Sequence, residues 1–162
     1  MLRERDQLQD MLHALRGAEV RSAVPGAGEL FLEFDQPSGG WSLGTGGSIW
    51  ALVHDDEPVV QDNDEESALD RFAEAIGRHV QSAQLGRDSS DRAMLRVDLG
   101  DGLAFFIVAS ANDAPDLPVF ELSTPEHRVV SLYPDGAVED FPSDVPIRDL
   151  VASGALHHWP SG

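Results

Sequence analysis

Leu8-Gln9-Asp10-Met11-Leu12-His13-Ala14-Leu15-Arg16-Gly17-Ala18-Glu19-Val20-Arg21-Ser22-Ala23 is the stretch from which the fold is read. Its apolar residues Leu8, Met11, Leu12 and Leu15 step i, i+3, i+4, i+7, one face of an amphipathic helix. Gly17 follows where a C-terminal cap is expected, because glycine enters the left-handed conformation without steric cost. The same order returns between Leu69 and Ala83. Leu69, Phe72, Ala73 and Ile76 repeat the helical step, and Gly77-Arg78-His79-Val80-Gln81-Ser82-Ala83 repeats the pattern Gly-x-x-Val-x-Ser-Ala. Asp62-Asn63-Asp64 ahead of Glu65-Glu66 supplies N-cap oxygens and first-turn negative charge for this second helix.

Beyond each glycine the apolar period falls from 3.6 to 2. Leu30, Leu32 and Phe34 alternate with Phe31 and Glu33, and Trp50 and Leu52 follow a glycine-rich connection. In the second half Leu95, Val97 and Leu99 alternate with Arg96 and Asp98. Gly100-Asp101-Gly102 then leads into Leu103, Phe105 and Ile107, a strong hairpin signal. Val119-Phe120-Glu121-Leu122 corresponds to Ile49-Trp50-Ala51-Leu52, and Val129–Tyr133 before Pro134-Asp135-Gly136 reads as a strand ending in a turn.

These patterns predict an α+β fold: two pseudo-repeated helix-plus-antiparallel-strand halves, about residues 4–60 and 65–136, packed as one domain over 1–162. The tail 137–162 holds three of the ten prolines, with one short helix expected over Ile147–Ser153 before Gly154.

Composition excludes several kinds of chemistry. The 162 residues include no cysteine, which removes thiol catalysis, zinc-thiolate and iron–sulfur sites and disulfides. All 11 basic residues are arginine, so Schiff-base lysines and the lysine of a phosphate-binding loop are absent as well. The charged start Met1–Asp6 does not read as a secretory signal, and no apolar run approaches the roughly 20 residues of a membrane span. A cytoplasmic location is the expectation.

Motifs that suggest catalysis or ligand binding each have a simpler reading. Gly44-Thr45-Gly46-Gly47-Ser48 precedes a strand rather than a helix, so it reads as a flexible hairpin connection and not as a phosphate cradle. Asp62-x-Asp64-x-Glu66 resembles the start of a calcium loop, but Ser67 and Ala73 stand where glycine and glutamate are required. His54 beside Asp55, Asp56 and Glu57 offers an imidazole next to carboxylates, yet neighbours in sequence at a strand end point to different sides. The pair His157-His158 reads as an exposed tail. No catalytic, cofactor-binding or metal-ligating residue is assigned, and no enzyme activity is expected.

Charge distribution gives the strongest functional signal. The chain carries 29 acids and a formal net charge of -18. Asp55, Asp56, Glu57, Asp62, Asp64, Glu65, Glu66 and Asp70 fall within one stretch that holds no base. Such a run repels nucleic acid, whose binding rests on neutralising phosphates, and attracts a basic protein. Trp41 and Trp50 read as core residues, either of which could instead be an aromatic anchor on a binding face; the eight acids, with Trp50 in that second role, are the expected partner-binding residues.

Trp50-Ala51-Leu52, the acidic link, Ile76-Gly77-x-x-Val80, the Asp-Gly hairpin, Phe120-Glu121-Leu122-Ser123-Thr124-Pro125 and the final Pro-Asp-Gly turn together resemble a group of small acidic bacterial proteins of actinobacterial type. The likeness covers about residues 41–136 and is structural in its motifs. Some members of that group look like toxin-immunity proteins. The resemblance carries over no catalytic or binding residue and bears on the fold more than on the function; the charge distribution points to a non-enzymatic binding or inhibitor protein that occludes a basic partner such as a toxin or nuclease. The alternative expectation is a small-ligand-binding or regulatory domain with a cleft between the two repeats.

Overall fold

The computed structural model describes residues 2–26, 29–62, 64, 66–110 and 117–142. In chain order the elements are α1 (Leu2–Ala14), β1 (Glu19–Gly26), β2 (Glu29–Gln36), β3 (Gly39–Gly44), β4 (Ile49–His54), β5 (Glu57–Gln61), a 3-10 helix (Glu66–Glu74), β6 (Ser82–Arg87), β7 (Ala93–Asp98), β8 (Leu103–Val108), β9 (Phe120–Ser123), β10 (Arg128–Leu132) and β11 (Val138–Pro142). The expected helix over Ile147–Ser153 lies outside the described residues.

The strands form two antiparallel sheets, one ordered β1-β2-β3-β9-β10-β11 and the other β5-β4-β8-β7-β6. This corrects the α+β expectation. The described chain is mostly antiparallel β, and the two halves do not each keep their own helix-plus-strand layer. Strand β4, with β5 on its outer side, leaves the first half to pair with β8, while β9, followed by β10 and β11, leaves the second to pair with β3. Each sheet is therefore closed by strands from both halves. One apolar core serves both sheets, with Leu32, Phe34 and Leu122 from the larger and Leu52, Leu95 and Phe105 from the smaller.

The recurring Gly-x-x-Val marks the place where the halves touch. Gly17 N–H donates to the Val80 carbonyl and Gly77 N–H to the Val20 carbonyl, each at 2.8 Å. Val20 N–H donates to Arg78 and Val80 N–H to Ala18, again at 2.8 Å. Both glycines sit in the left-handed region, with φ of 89° and 87°, as the end of a helix requires.

The second helix departs from the predicted α-helical face. It is a 3-10 helix, which repeats every three residues, and its inward positions are Leu69, Phe72 and Ala75 rather than Ala73 and Ile76. Ile76 is exposed. In α1 the 3.6 period holds, and Leu8, Leu12 and Leu15 are buried.

Five strands are absent from the sequence reading: β1 and β6, which follow the two helices directly, and β3, β5 and β11. In β3 the glycines conceal a period-2 pattern in which Trp41 and Leu43 face the core. In β5 the flanking acids conceal Val60, which is fully buried opposite Leu52. In β11, assigned to the tail, Val138 is buried beside Leu132.

Candidate functional site

The acidic run occupies one margin of the smaller sheet. Asp55 and Asp56 form the two-residue turn between β4 and β5, both with positive φ (49° and 68°), the backbone that a tight hairpin of this kind demands. Glu57 opens β5, and Asp62 and Asp64 lie past its far end. The 3-10 helix then packs along β5 and returns towards the hairpin, carrying exposed Asp70 and ending at Glu74. Arg71 on that helix donates to the Val59 carbonyl of β5 at 3.2 Å, tying helix to strand.

Because β4 pairs with β8, a second turn arrives at the same place. The Asp55 N–H donates to the Gly102 carbonyl at 3.0 Å, so the β4–β5 and β7–β8 turns abut. Gly102 sits at a φ of 82°, in the left-handed region that favours glycine. His54 stands at the centre, its Nε2 3.2 Å from the Asp101 carbonyl oxygen and 3.6 Å from an Asp55 carboxylate oxygen. Its Nδ1 is 4.0 Å from Glu74. Arg78 bonds Asp101 at 3.0 Å and the Gly100 carbonyl at 3.3 Å.

Asp55, Asp56, Glu57, Glu74 and Asp101 thus gather at the two turns with His54 and Arg78, while Asp62 and Asp64 stand at the other end of β5 and Asp70 and Arg71 on the helix between. Most of these carboxylates are well exposed, Asp55 at 78% and Asp101 at 89% of the side chain. Asp62 is exposed as well, yet partial desolvation, seconded by the charge of Asp64, raises its carboxyl above the usual value despite backbone hydrogen bonds. Glu65 lies outside the described residues, and of Glu66 only the backbone, at the start of the 3-10 helix, is placed.

Trp50, expected as an anchor on this surface, is instead 7% exposed and packs in the core between Phe72 and Phe105, with ring centroids 5.7 and 6.1 Å away. Its alternation with Ile49 and Ala51 already placed it on the inward face. Glu74, Arg78 and Asp101 were missed as members of the group, since only the pairing of β4 with β8 brings the Gly-Asp-Gly turn alongside Asp55.

The other motifs are structural in the described chain. The Gly44–Ser48 segment crosses from one sheet to the other instead of closing a hairpin. Its amides are already engaged: Thr45 N–H with Leu30, Gly46 N–H with Glu29, Gly47 N–H with Pro118 and Ser48 N–H with Thr45. On the larger sheet Glu121 lies near Glu29 and Glu139, and the Tyr133 hydroxyl donates to Glu139 at 2.7 Å. Burial, then the charges of Glu29 and Glu139, hold the Glu121 carboxyl above its usual value. Among the described residues no three His, Asp or Glu side chains are grouped to hold a metal ion. His157 and His158 lie outside those residues. No helix among them is long and apolar enough to cross a membrane.

No protein-family model, curated protein or solved structure matches the chain.

Proposed function

We propose that this chain is a non-enzymatic acidic binding protein, of toxin-immunity or inhibitor type, that works in the cytoplasm by covering the basic site of a protein partner. The observation that supports the reading is the carboxylate-rich margin built by the β4–β5 turn, the β7–β8 turn and the 3-10 helix. Asp55, Asp56, Glu57, Asp70, Glu74 and Asp101 on these elements, against Arg71 and Arg78, leave a local negative field. The two turns are bonded to each other, so the charges are held at fixed positions before any partner arrives, which lowers the entropic cost of docking. Asp and Glu there would pair with the arginines and lysines by which a toxin or nuclease holds its substrate, and occlusion follows from the bulk of the domain.

Affinity capture from host lysate at low salt, run in parallel with the wild type and an Asp55→Asn, Asp56→Asn, Glu57→Gln variant, tests this. Asparagine tolerates the left-handed turn, so the variant keeps its fold while losing charge. One basic protein retained stoichiometrically by the wild type and lost from the variant is the expected result. Equal retention by both would move the interface elsewhere.

A further inference from the structure

A second structured place lies where α1 meets the β2–β3 and β9–β10 turns, a cleft of about 350 Å³. Met11, Ala14 and the ring of Trp41 give it an apolar floor. Its walls are fixed. Gln36 accepts the Trp41 indole N–H at 3.0 Å and donates to the Ala14 and Arg16 carbonyls at 2.9 and 3.1 Å, locking the end of α1 to the β2–β3 turn. On the other side Gly39 approaches Pro125 so closely that an added Cβ would stand 2.9 Å from the proline Cβ. The β9–β10 turn is braced by Thr124 N–H on the Arg128 carbonyl and His127 N–H on the Thr124 carbonyl.

The charges at the rim are unequal. Arg128 is neutralised, with its Nε 2.7 Å from an Asp140 oxygen. Glu126, also lining the cleft, has no hydrogen bond or ion pair among the described residues and is exposed. One carboxylate is left over above an apolar floor, within a chain whose net charge of -18 repels anions. The volume lies at the small end of ligand pockets, which run to roughly 300–1,000 Å³.

We propose that this cleft binds a free small organic cation with an apolar body, an aryl amidine or an alkyl amine. The apolar part lies over Met11 and Trp41, and the cationic head meets Glu126, with Ser38 and Thr124 as neighbouring polar groups. The site is separate from the acidic margin, and its test is independent of the function proposed above.

Titration of the full-length, isotope-labelled chain with benzamidine, followed by amide and indole NMR shifts, examines it. Benzoate, the same shape with the opposite charge, is the control. Saturable movement of the Trp41 indole N–H and of the Met11, Ser38 and Glu126 amides by benzamidine, and not by benzoate, is expected. Glu126→Gln should weaken that binding about two- to fivefold, the worth of one exposed ion pair. Equal shifts with benzoate would overturn the proposal, as would benzamidine shifts confined to His54, Glu74 and Asp101. If the peptide acetyl-Gly-Arg-Gly-amide moves these resonances while benzamidine does not, the occupant is a protein side chain and the proposal fails.

Discussion

Asp55 and Asp56 show how single residues serve fold and surface at once. Each holds a positive φ that costs a non-glycine residue free energy, and each projects a carboxylate from a hairpin tip. Asp56→Gly is expected to raise stability by about 0.5–1 kcal/mol in urea unfolding, since glycine adopts this φ freely. Partner binding should fall in the same variant, which separates the two roles. Glu121 makes a pH-dependent contribution. Its folded-state pKa is raised, so the stability linked to it is complete below the unfolded value and lost as pH rises through the folded one. Glu121→Gln should therefore be more stable than the wild type at pH 7, with the difference vanishing in acid, as thermal unfolding at several pH values would show. At this scale the sequence was informative: Gly17, Gly77 and the Gly100-Asp101-Gly102 turn all stand where their neighbours predicted, with φ of 89°, 87°, 84°, 55° and 82°.

Among the elements, the edge strands β6 and β1 carry features that disfavour pairing with a further strand. Strand β6 ends the smaller sheet, and the side chain of Gln9 on α1 acts as a short substitute strand beside it. Its Nε2 donates to the Ala83 carbonyl at 3.0 Å and its Oε1 accepts the Leu85 N–H at 2.8 Å. Gln9→Ala should cost about 1–2 kcal/mol for the two bonds and speed hydrogen exchange at Leu85 before the rest of the sheet. Strand β1 carries a register shift between Val20 and Ser22 and a proline at position 25, both of which disfavour further pairing. Element type was legible only where a period was clean. Leu8, Met11, Leu12 and Leu15 identified α1, whereas the acids around Val60 and the glycines around Trp41 hid β5 and β3. Leu69 and Phe72 satisfy both the 3-10 and the α period, so the sequence alone predicts an α-helix here, and only the exposure of Ala73 and Ile76 distinguishes the two.

For the molecule as a whole, the pairing of β3 with β9 and of β4 with β8 exchanges strands between the halves. Such contacts join residues far apart in the chain, and no local pattern records them, which is why the sequence suggested two separate helix-plus-strand halves. The same exchange assembles the acidic margin, since it brings Asp101 beside the Asp55 turn across 46 positions of sequence. The run from Asp55 to Asp70 was legible as charge; Glu74, Arg78 and Asp101 required the fold. A field of this kind acts on encounter, and steering raises association rates by about 10–1,000-fold at low salt. The most direct measurement is therefore the association rate constant of the captured partner across a series of ionic strengths, for the wild type and for the Asp55→Asn, Asp56→Asn, Glu57→Gln variant. A steep fall with salt in the wild type and a slower, flatter dependence in the variant is the predicted result. Rates independent of salt, or identical in the two proteins, would contradict the acidic margin as the binding surface.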